Sequence, residues 1–249
     1  MTIRLLTYNI KRGGVGRERA LQQVILGCRP DLVIFQEATR PSVIQGLAKA
    51  TNMQTMGAVS RQSLAFMSRI PVGRYEWHRP RFSRHAFLEI GFPEISFRVF
   101  GVHLSAVHAA WTERRRAFEL RALLKSIARH QSGFHALTGD FNTLAPGELL
   151  DIAKLPRRLR ALVWMSGGRV RFRTIQLVLD AGYADAFRTL HPGKPGMTFP
   201  TWQPHVRLDY AFVPAGHLER VTRCEVIAGP DAEKASDHFP MLTEIEVRR

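Results

Sequence analysis

Residues 3–37, IRLLTYNIKRGGVGRERALQQVILGCRPDLVIFQE, set the fold class. They begin with one apolar run, IRLLTYNI, and end with a second, DLVIFQE, and both runs have the length and composition of buried strands. The segment between them, RERALQQVILGC, places four apolar residues on one helical face: Leu21, Val24, Ile25 and Cys28. A strand, a helix and a strand in this order predict an α/β fold.

The same alternation continues along the chain. Further strands are predicted at LAFMS, HAFLEIGF, ISFRVFGVHL, FHALTGDF, RLDYAFV and MLTEIEV. Residues 111–130 are predicted to form an amphipathic helix with the arginines at 114–116 in solvent, and its apolar stripe is Ala117, Leu120, Leu124 and Ile127. Because no Gly/Ser linker or low-complexity tract interrupts the pattern, we expect one domain over residues 1–249, made of stacked sheets and helices.

The chain is strongly basic. Its 249 residues contain 36 Lys plus Arg against 21 Asp plus Glu, which gives a formal net charge of +15. Such a charge attracts nucleic acid, and it would equally attract an anionic phospholipid surface. Arginine greatly outnumbers lysine, which suits bidentate phosphate contacts but is also what a GC-rich coding sequence gives.

One segment, KLPRRLRALVWMSGGRVRFR at residues 154–173, is rich in arginine and contains no acidic residue. Two interpretations remain open: a solvated basic loop or hairpin, and an arm that follows a phosphate backbone.

Several features predict a cytoplasmic protein. No apolar run approaches the ~20 residues of a transmembrane helix, and the N-terminal sequence lacks the apolar stretch and cleavage site of a signal peptide. The two cysteines, Cys28 and Cys224, are too few for a disulfide framework and lack metal-site spacing, so both are predicted to be reduced and buried.

Polar residues stand at the ends of the apolar strands: Asn9, Glu37, His103, Asp140, Asn142, Asp209, Asp237 and His238. Any one of them alone would usually cap a strand. If the strand ends converge, however, Asn9, Glu37 and Asp237 supply the oxygen ligands that Mg²⁺ or Mn²⁺ prefers, and the histidines are left for proton transfer. The sequence contains no zinc-spaced Cys/His cluster, no GxGxxG and no GxxxxGK[ST].

Six motifs in order, TYNI, FQE, VHL, GDFN, RLDY and SDHFP, span residues 7–240 and resemble the endonuclease/exonuclease/phosphatase superfamily. That superfamily includes deoxyribonuclease-like nucleases, apurinic endonucleases, neutral sphingomyelinases and inositol polyphosphate phosphatases. The resemblance implies a four-layer α-β-β-α sandwich, with two mixed β-sheets packed face to face and helices outside. The stretch QSLAFMSR lacks a glycine that family members often carry before this strand.

The resemblance also implies roles for the polar residues. Glu37 would be the main ligand of the divalent metal, Mg²⁺ or Mn²⁺, with Asn9 close to the same ion and Asp237 at the same or a second position. Asp209 would orient the catalytic histidine, His238, as the acid of a triad does.

Three further residues would act on the phosphate or the water. Asp140 would position or deprotonate the attacking water, Asn142 would donate a hydrogen bond to a phosphate oxygen, and His103 would contact the phosphate and protonate the leaving group. Whether His238 or Asp140 is the base stays open at this point.

The substrate side is less specific. Phe199 and Trp202 could stack on a base or contact an acyl chain, or they could only pack beneath their loop, and Arg207 could reach a phosphate or bridge loops. We therefore expect a metal-dependent phosphodiesterase, with a nuclease cleaving DNA or RNA as the first hypothesis. A phospholipid, sphingomyelin-type or small-molecule phosphoesterase is the second, and a catalytically silent nucleic-acid-binding protein is the third.

Overall fold

The computed structural model describes residues 1–248 except residues 82, 84, 107–109, 131–132, 149–159 and 161–171. The arginine-rich segment 154–173 therefore lies outside the described residues, apart from Arg160, Phe172 and Arg173.

Twelve strands are present in the described chain. They are β1 (Thr2–Asn9), β2 (Leu32–Gln36), β3 (Thr55–Ala58), β4 (Ala65–Ser68), β5 (Arg74–His78), β6 (Phe87–Gly91), β7 (Phe97–His103), β8 (Phe134–Asp140), β9 (Tyr183–Asp185), β10 (Asp209–Pro214), β11 (Val221–Val226) and β12 (Met241–Glu246). The helices are α1 (Glu18–Cys28), α2 (Pro41–Ala50), α3 (Ala110–His130), α4 (Arg173–Asp180), α5 (Ala186–Leu190) and α6 (Pro230–Ala235).

The strands form two six-stranded sheets, with the orders β11-β12-β1-β2-β4-β3 and β5-β6-β7-β8-β10-β9. Each sheet is mixed, because β1 pairs with β2 and β7 with β8 in parallel while their other neighbours are antiparallel.

Strand β1 shows why the sheets stack. Side chains alternate across a strand, so Ile3 and Leu5 enter the core between the two sheets, whereas Leu6 and Tyr8 enter the core beneath helices α1 and α2. A third core fills the space between the second sheet and helices α3 and α4. The result is the four-layer α-β-β-α sandwich that the family resemblance implied.

Helices α1 and α3 can be compared with the faces that the sequence predicted to be buried or exposed. The buried face of α1 consists of the four predicted residues, Leu21, Val24, Ile25 and Cys28. In α3 the arginines at 114 and 115 are exposed, but the prediction for Arg116 was wrong, since this side chain is buried against Glu113 at 2.8 Å. An intrahelical acid three residues away satisfies the buried guanidinium.

Strands β3, β5, β9 and β11 were not predicted, because each is short or lies at or next to a sheet edge. Both cysteines are buried and unbonded, as predicted. No helix in the described part of the chain is long and apolar enough to cross a membrane.

Candidate active site

The polar strand ends meet where the two parallel pairs terminate. Asn9 is the last residue of β1 and pairs in register with Gln36, which directly precedes Glu37. On the second sheet, His103 and Asp140 end β7 and β8 side by side. Asp209 begins the antiparallel strand β10 opposite Asp140. Parallel strands end at one edge, so both sheets deliver their polar residues to the same end of the sandwich.

The glycine of the GDFN motif, Gly139, lies where the backbones of β8 and β7 approach closely. Gly139 has φ +145°, and a Cβ added there would lie 1.9 Å from the carbonyl oxygen of Val102 on the neighbouring strand. Only glycine fits such a position. Gly139 therefore lets β8 and β7 stay paired up to Asp140 and His103, the last residues of the two strands.

Asp140 is the centre of the site and is only 1% exposed. Its Oδ2 accepts hydrogen bonds from Asn9 Nδ2 at 3.0 Å and from Asn142 Nδ2 at 3.1 Å. Its Oδ1 accepts from the backbone N–H of Asn142 at 2.8 Å. Residues from both sheets thus converge on one carboxylate.

His238 approaches Asp140 from the loop before β12. Its Nδ1 donates to Asp209 Oδ2 at 2.8 Å, so its Nε2 faces Asp140, with Oδ2 at 3.9 Å. All three side chains are buried, and Asp209 Oδ1 has no hydrogen-bond partner among the described residues. The structure thus contains the hydrogen bond through which Asp209 would orient His238.

His103 faces the same carboxylate from the other side. Its Nε2 is 3.9 Å from Asp140 Oδ2, and its Nδ1 is hydrogen-bonded to Ser63 Oγ. Ser63 Oγ also accepts the backbone N–H of Glu37 at 3.0 Å. Ser63 was not predicted as a site residue, since its one signal in the sequence is its place just before the apolar strand in QSLAFMSR.

Burial and neighbouring charge shift the proton equilibria at the centre. Burial raises the pKa of Asp140 to about 7, although the nearby His238 opposes the rise. For His238, burial acts to lower the pKa, but Asp209 and Asp140 outweigh burial and raise it to about 9. The two groups therefore titrate as an interacting pair, Asp140 near neutral pH and His238 above it.

A tight turn holds Asn9 and Glu37 together. Asn9 Nδ2 is 3.5 Å from Glu37 Oε1. The backbone N–H of Lys11 donates to Asn9 Oδ1 at 3.0 Å, and that of Arg12 donates to Glu37 Oε2 at 2.6 Å. The turn requires positive φ at non-glycine residues, 47° at Lys11, 49° at Arg12 and 56° at Glu37. Such strain is typical of residues fixed by a functional site.

The sequence of the chain matches a known protein family. Residues 6–238 match the model of the Endonuclease/Exonuclease/phosphatase family. The chain belongs to this family. Membership supports a metal-dependent phosphoesterase, in agreement with the chemistry of the strand ends. No curated protein matches the chain significantly.

Solved structures share the fold. The 3′ phosphatase NExo from Neisseria, bound to a product DNA hairpin, superposes with a TM-score of 0.73 at 19% identity, covering 98% of this chain and 99% of that one. An AP endonuclease from Archaeoglobus fulgidus gives 0.76 at 16% identity, with coverage of 98% and 100%. A humanized TDP2 from D. rerio gives 0.69 at 17% identity, with coverage of 98% and 99%.

Among the described residues, two sets of donors could hold a metal ion. Asp140, Asp209 and His238 present ligand atoms within 4.8 Å of one another. In that set, however, Asp209 and His238 already share a proton, and both oxygens of Asp140 accept hydrogen bonds. The second set is Glu37 with the side-chain oxygen of Asn9, which are hard oxygen ligands of the kind that Mg²⁺ or Mn²⁺ prefers. These oxygens also accept hydrogen bonds, but Glu37 is partly exposed, so an ion and its water ligands can reach it. This exposure makes the second set the better fit.

Asp237, predicted to approach the same or a second ion, has a protein cation as its neighbour. Lys11 Nζ lies 3.1 Å from Asp237 Oδ2. Ser236 ties this loop to β1, because its Oγ donates to the backbone carbonyl of Asn9 at 2.7 Å.

Aromatic side chains lie beside His238. The ring centroid of Phe199 is 4.7 Å from that of His238, and Trp202 is 6.3 Å from Phe199. Trp202 is 69% exposed, which is unusual for so large an apolar side chain. The structure thus brings both predicted aromatic residues to the edge of the site.

The prediction that Arg207 reaches a phosphate was wrong. Its guanidinium is fully buried and makes a bidentate pair with Asp185 at 3.0 and 2.6 Å. It also donates to Glu148 at 2.7 Å and lies 4.4 Å from the ring centroid of Tyr210. These contacts use its donors and turn the side chain into the core, so Arg207 has a structural role.

Proposed function

We propose that this chain is a divalent-metal-dependent phosphodiesterase that cleaves DNA or RNA by attack of activated water on phosphorus. One observation carries the proposal: His238 and His103 each direct Nε2 toward the same buried carboxylate oxygen of Asp140, both at 3.9 Å. This distance is too long for a direct hydrogen bond. A water molecule or a phosphate oxygen between the two histidines and Asp140 could therefore contact all three side chains.

The proton equilibria favour Asp140 as the base. With a pKa of about 7, its carboxylate is ionised to a useful extent near neutral pH and can accept the proton of the attacking water. His238, with a pKa raised to about 9, stays protonated and donates to a phosphate oxygen from Nε2. Asp209 stabilises this imidazolium through Nδ1.

His103 is assigned to the leaving group. Ser63 Oγ accepts the N–H of Glu37, so its own hydroxyl proton can be donated to His103 Nδ1. In that tautomer His103 carries its proton on Nε2, the atom that faces the centre. Asn142 donates from Nδ2 to the backbone carbonyl of Leu104 at 2.9 Å and to Asp140 Oδ2 at 3.1 Å, so it holds the carboxylate of Asp140 in place and would have to exchange one of these bonds to reach a phosphate oxygen.

A divalent ion held by Glu37 and Asn9 would supply Lewis-acid stabilisation of the charge on the phosphate oxygens. Without a cation there, the carboxylates would repel a phosphodiester.

Nucleic acid is the proposed substrate because two features of the chain fit it. The net charge of +15 attracts a polyphosphate, and the exposed Trp202 offers a ring on which a base can stack. Among the proteins with this fold, the 3′ phosphatase from Neisseria was captured with a DNA hairpin.

The experiment is a substrate panel with Mg²⁺, Mn²⁺ or EDTA. The substrates are plasmid DNA, abasic duplex, single-stranded RNA, sphingomyelin vesicles and bis-(p-nitrophenyl) phosphate. We expect metal-dependent cleavage of nucleic acid that is lost in Glu37→Gln. The matched control is Glu219→Gln, which changes a glutamate whose side chain is 69% exposed, and it should retain full activity.

Turnover of sphingomyelin alone would overturn the choice of substrate and leave the chemistry in place. Equal activity in EDTA, or full activity in Glu37→Gln, would overturn the metal-dependent mechanism. Absence of turnover with nucleic-acid binding intact would favour the silent binding protein.

The affinity for nucleic acid should weaken by about 10³-fold or more between 50 and 200 mM salt if many phosphates are contacted.

A further inference from the structure

Lys11 lies between two residues of the predicted metal-binding set. Its backbone N–H donates to Asn9 Oδ1 at 3.0 Å, while its ammonium Nζ is 3.1 Å from Asp237 Oδ2. Asp237 Oδ1 accepts from Ser236 Oγ at 3.4 Å. One residue therefore contacts both the amide of Asn9 and the carboxylate of Asp237.

The position of the ammonium is set from several sides. The Lys11 backbone is held at φ 47° by the turn after β1, so its side chain leaves the chain in a fixed direction. Nζ also lies 5.7 Å from the ring centroid of Trp202, within the range of a cation–π contact. The Lys11 side chain is still 38% exposed, so a ligand can reach it from solvent.

The charges of the site require more than one cation. Four carboxylates, those of Glu37, Asp140, Asp209 and Asp237, lie at this end of the sandwich, and a phosphodiester would add further negative charge. His238 is paired with Asp209, and Glu37 with Asn9 fits one divalent ion. Asp237 would be the natural ligand of a second ion, and Lys11 already neutralises it.

We propose that the Lys11 ammonium takes the place of a second divalent cation beside Asp237, so that the site holds one metal ion, at Glu37 and Asn9. This inference rests on the proposed function, because it concerns the same site and reaction. Lys11 then acts on the substrate phosphate as a point charge, a role that suits an ammonium group. The use of Lys11 in place of a second ion distinguishes this chain from an enzyme that brings two metal ions to one phosphate.

The test counts bound ions and does not depend on activity. Mn²⁺ is titrated into the protein without substrate, and free Mn²⁺ is measured by electron paramagnetic resonance. The wild type and Lys11→Arg, which keeps the positive charge, should each bind one ion. Lys11→Asp should bind two, because aspartate tolerates positive φ and adds a carboxylate next to Asp237. The double variant Lys11→Asp/Asp237→Asn should return to one.

Two outcomes would overturn the inference while the proposed function stands. They are two ions on the wild type, and a single ion on a folded Lys11→Asp variant. If that variant does not fold, Lys11→Asn is measured instead, and it should gain a weaker second ion because Asp237 loses its cation. Failure of the wild type to bind Mn²⁺ would instead remove the metal-dependent function itself, and with it the inference.

Discussion

Two clusters of charged side chains in this molecule contain similar residue types and differ in their chemistry. The histidine cluster consists of Asp140, Asp209 and His238, and the arginine cluster consists of Glu148, Asp185 and Arg207. Each contains two carboxylates and one basic side chain, and their members at 207 and 209 are two residues apart in the chain.

The difference lies in how completely the polar atoms are satisfied. In the arginine cluster, Arg207 donates to Asp185 and Glu148 at 2.6 to 3.0 Å. In the histidine cluster, His238 Nε2 remains 3.9 Å from Asp140, and Asp209 Oδ1 has no partner among the described residues. A satisfied buried network stabilises a fold, whereas an incompletely satisfied one retains atoms that can contact water or substrate.

The largest effect should be loss of hydrolysis from the histidine cluster. We expect His238→Ala and Asp140→Ala each to lower kcat/KM by about 10²–10⁴-fold or more, because each removes a proton-transfer or phosphate-stabilising group. Circular dichroism should show a folded protein in both variants. Substantial turnover in either variant would remove these residues from the mechanism.

The arginine cluster should instead respond in stability. Arg207→Met removes the ion pair of the buried Asp185 and leaves Glu148 paired with Arg188 alone, and we expect a loss of about 3–5 kcal/mol in the free energy of unfolding, measured with urea. The control is Arg188→Met, whose partly exposed side chain also pairs with Glu148 at 3.0 Å and should cost about 1 kcal/mol or less. Equal losses in the two variants would contradict the comparison.

A smaller, pH-dependent effect should separate the clusters further. Burial raises the pKa of Asp140 above its unfolded value, so ionising this group opposes folding as pH rises from about 4 toward 7. Asp140→Asn should therefore be more stable than the wild type by about 1–3 kcal/mol at pH 8, and this gain should shrink as pH is lowered to 4. Urea denaturation at both pH values measures it. A gain that is the same at both would show that Asp140 is not the buried ionising group.

The smallest effect concerns the edge of the site. Trp202→Ala should weaken binding of single-stranded DNA by about 1 kcal/mol, or roughly 5-fold, because one stacking surface is lost. Trp202→Phe keeps an aromatic ring and should lose less. Fluorescence anisotropy with a labelled oligonucleotide compares them, and unchanged affinity in Trp202→Ala would assign this exposed ring no part in binding.

The sequence predicted features that follow from local periodicity. The sequence pattern placed Asn9, Glu37, His103 and Asp140 at the ends of predicted strands, and the structure brings these ends together through two parallel strand pairs. The buried face of α1 followed from its helical spacing in the same way.

The features that the sequence did not predict depend on partners far away in the chain. Arg207 is buried because Asp185 and Glu148, 22 and 59 residues distant, fold against it. Ser63 contacts His103 across 40 residues, and Lys11 contacts Asp237 from the opposite end of the chain. No local sequence pattern indicates such pairs. Arg207 was therefore expected to be able to reach a phosphate, and Asp237 was expected to bind a metal ion.

The central claim is that Asp140 accepts a proton while Asp209 keeps His238 protonated. The most direct measurement is the pH dependence of kcat/KM for the wild type and Asp209→Asn on the best substrate of the panel. The account predicts that kcat/KM of the wild type rises up to about pH 7 and falls above about pH 9. In Asp209→Asn, the alkaline fall should move to lower pH, because His238 loses the carboxylate that raises its pKa. An alkaline limb that stays in place in the variant would contradict the account.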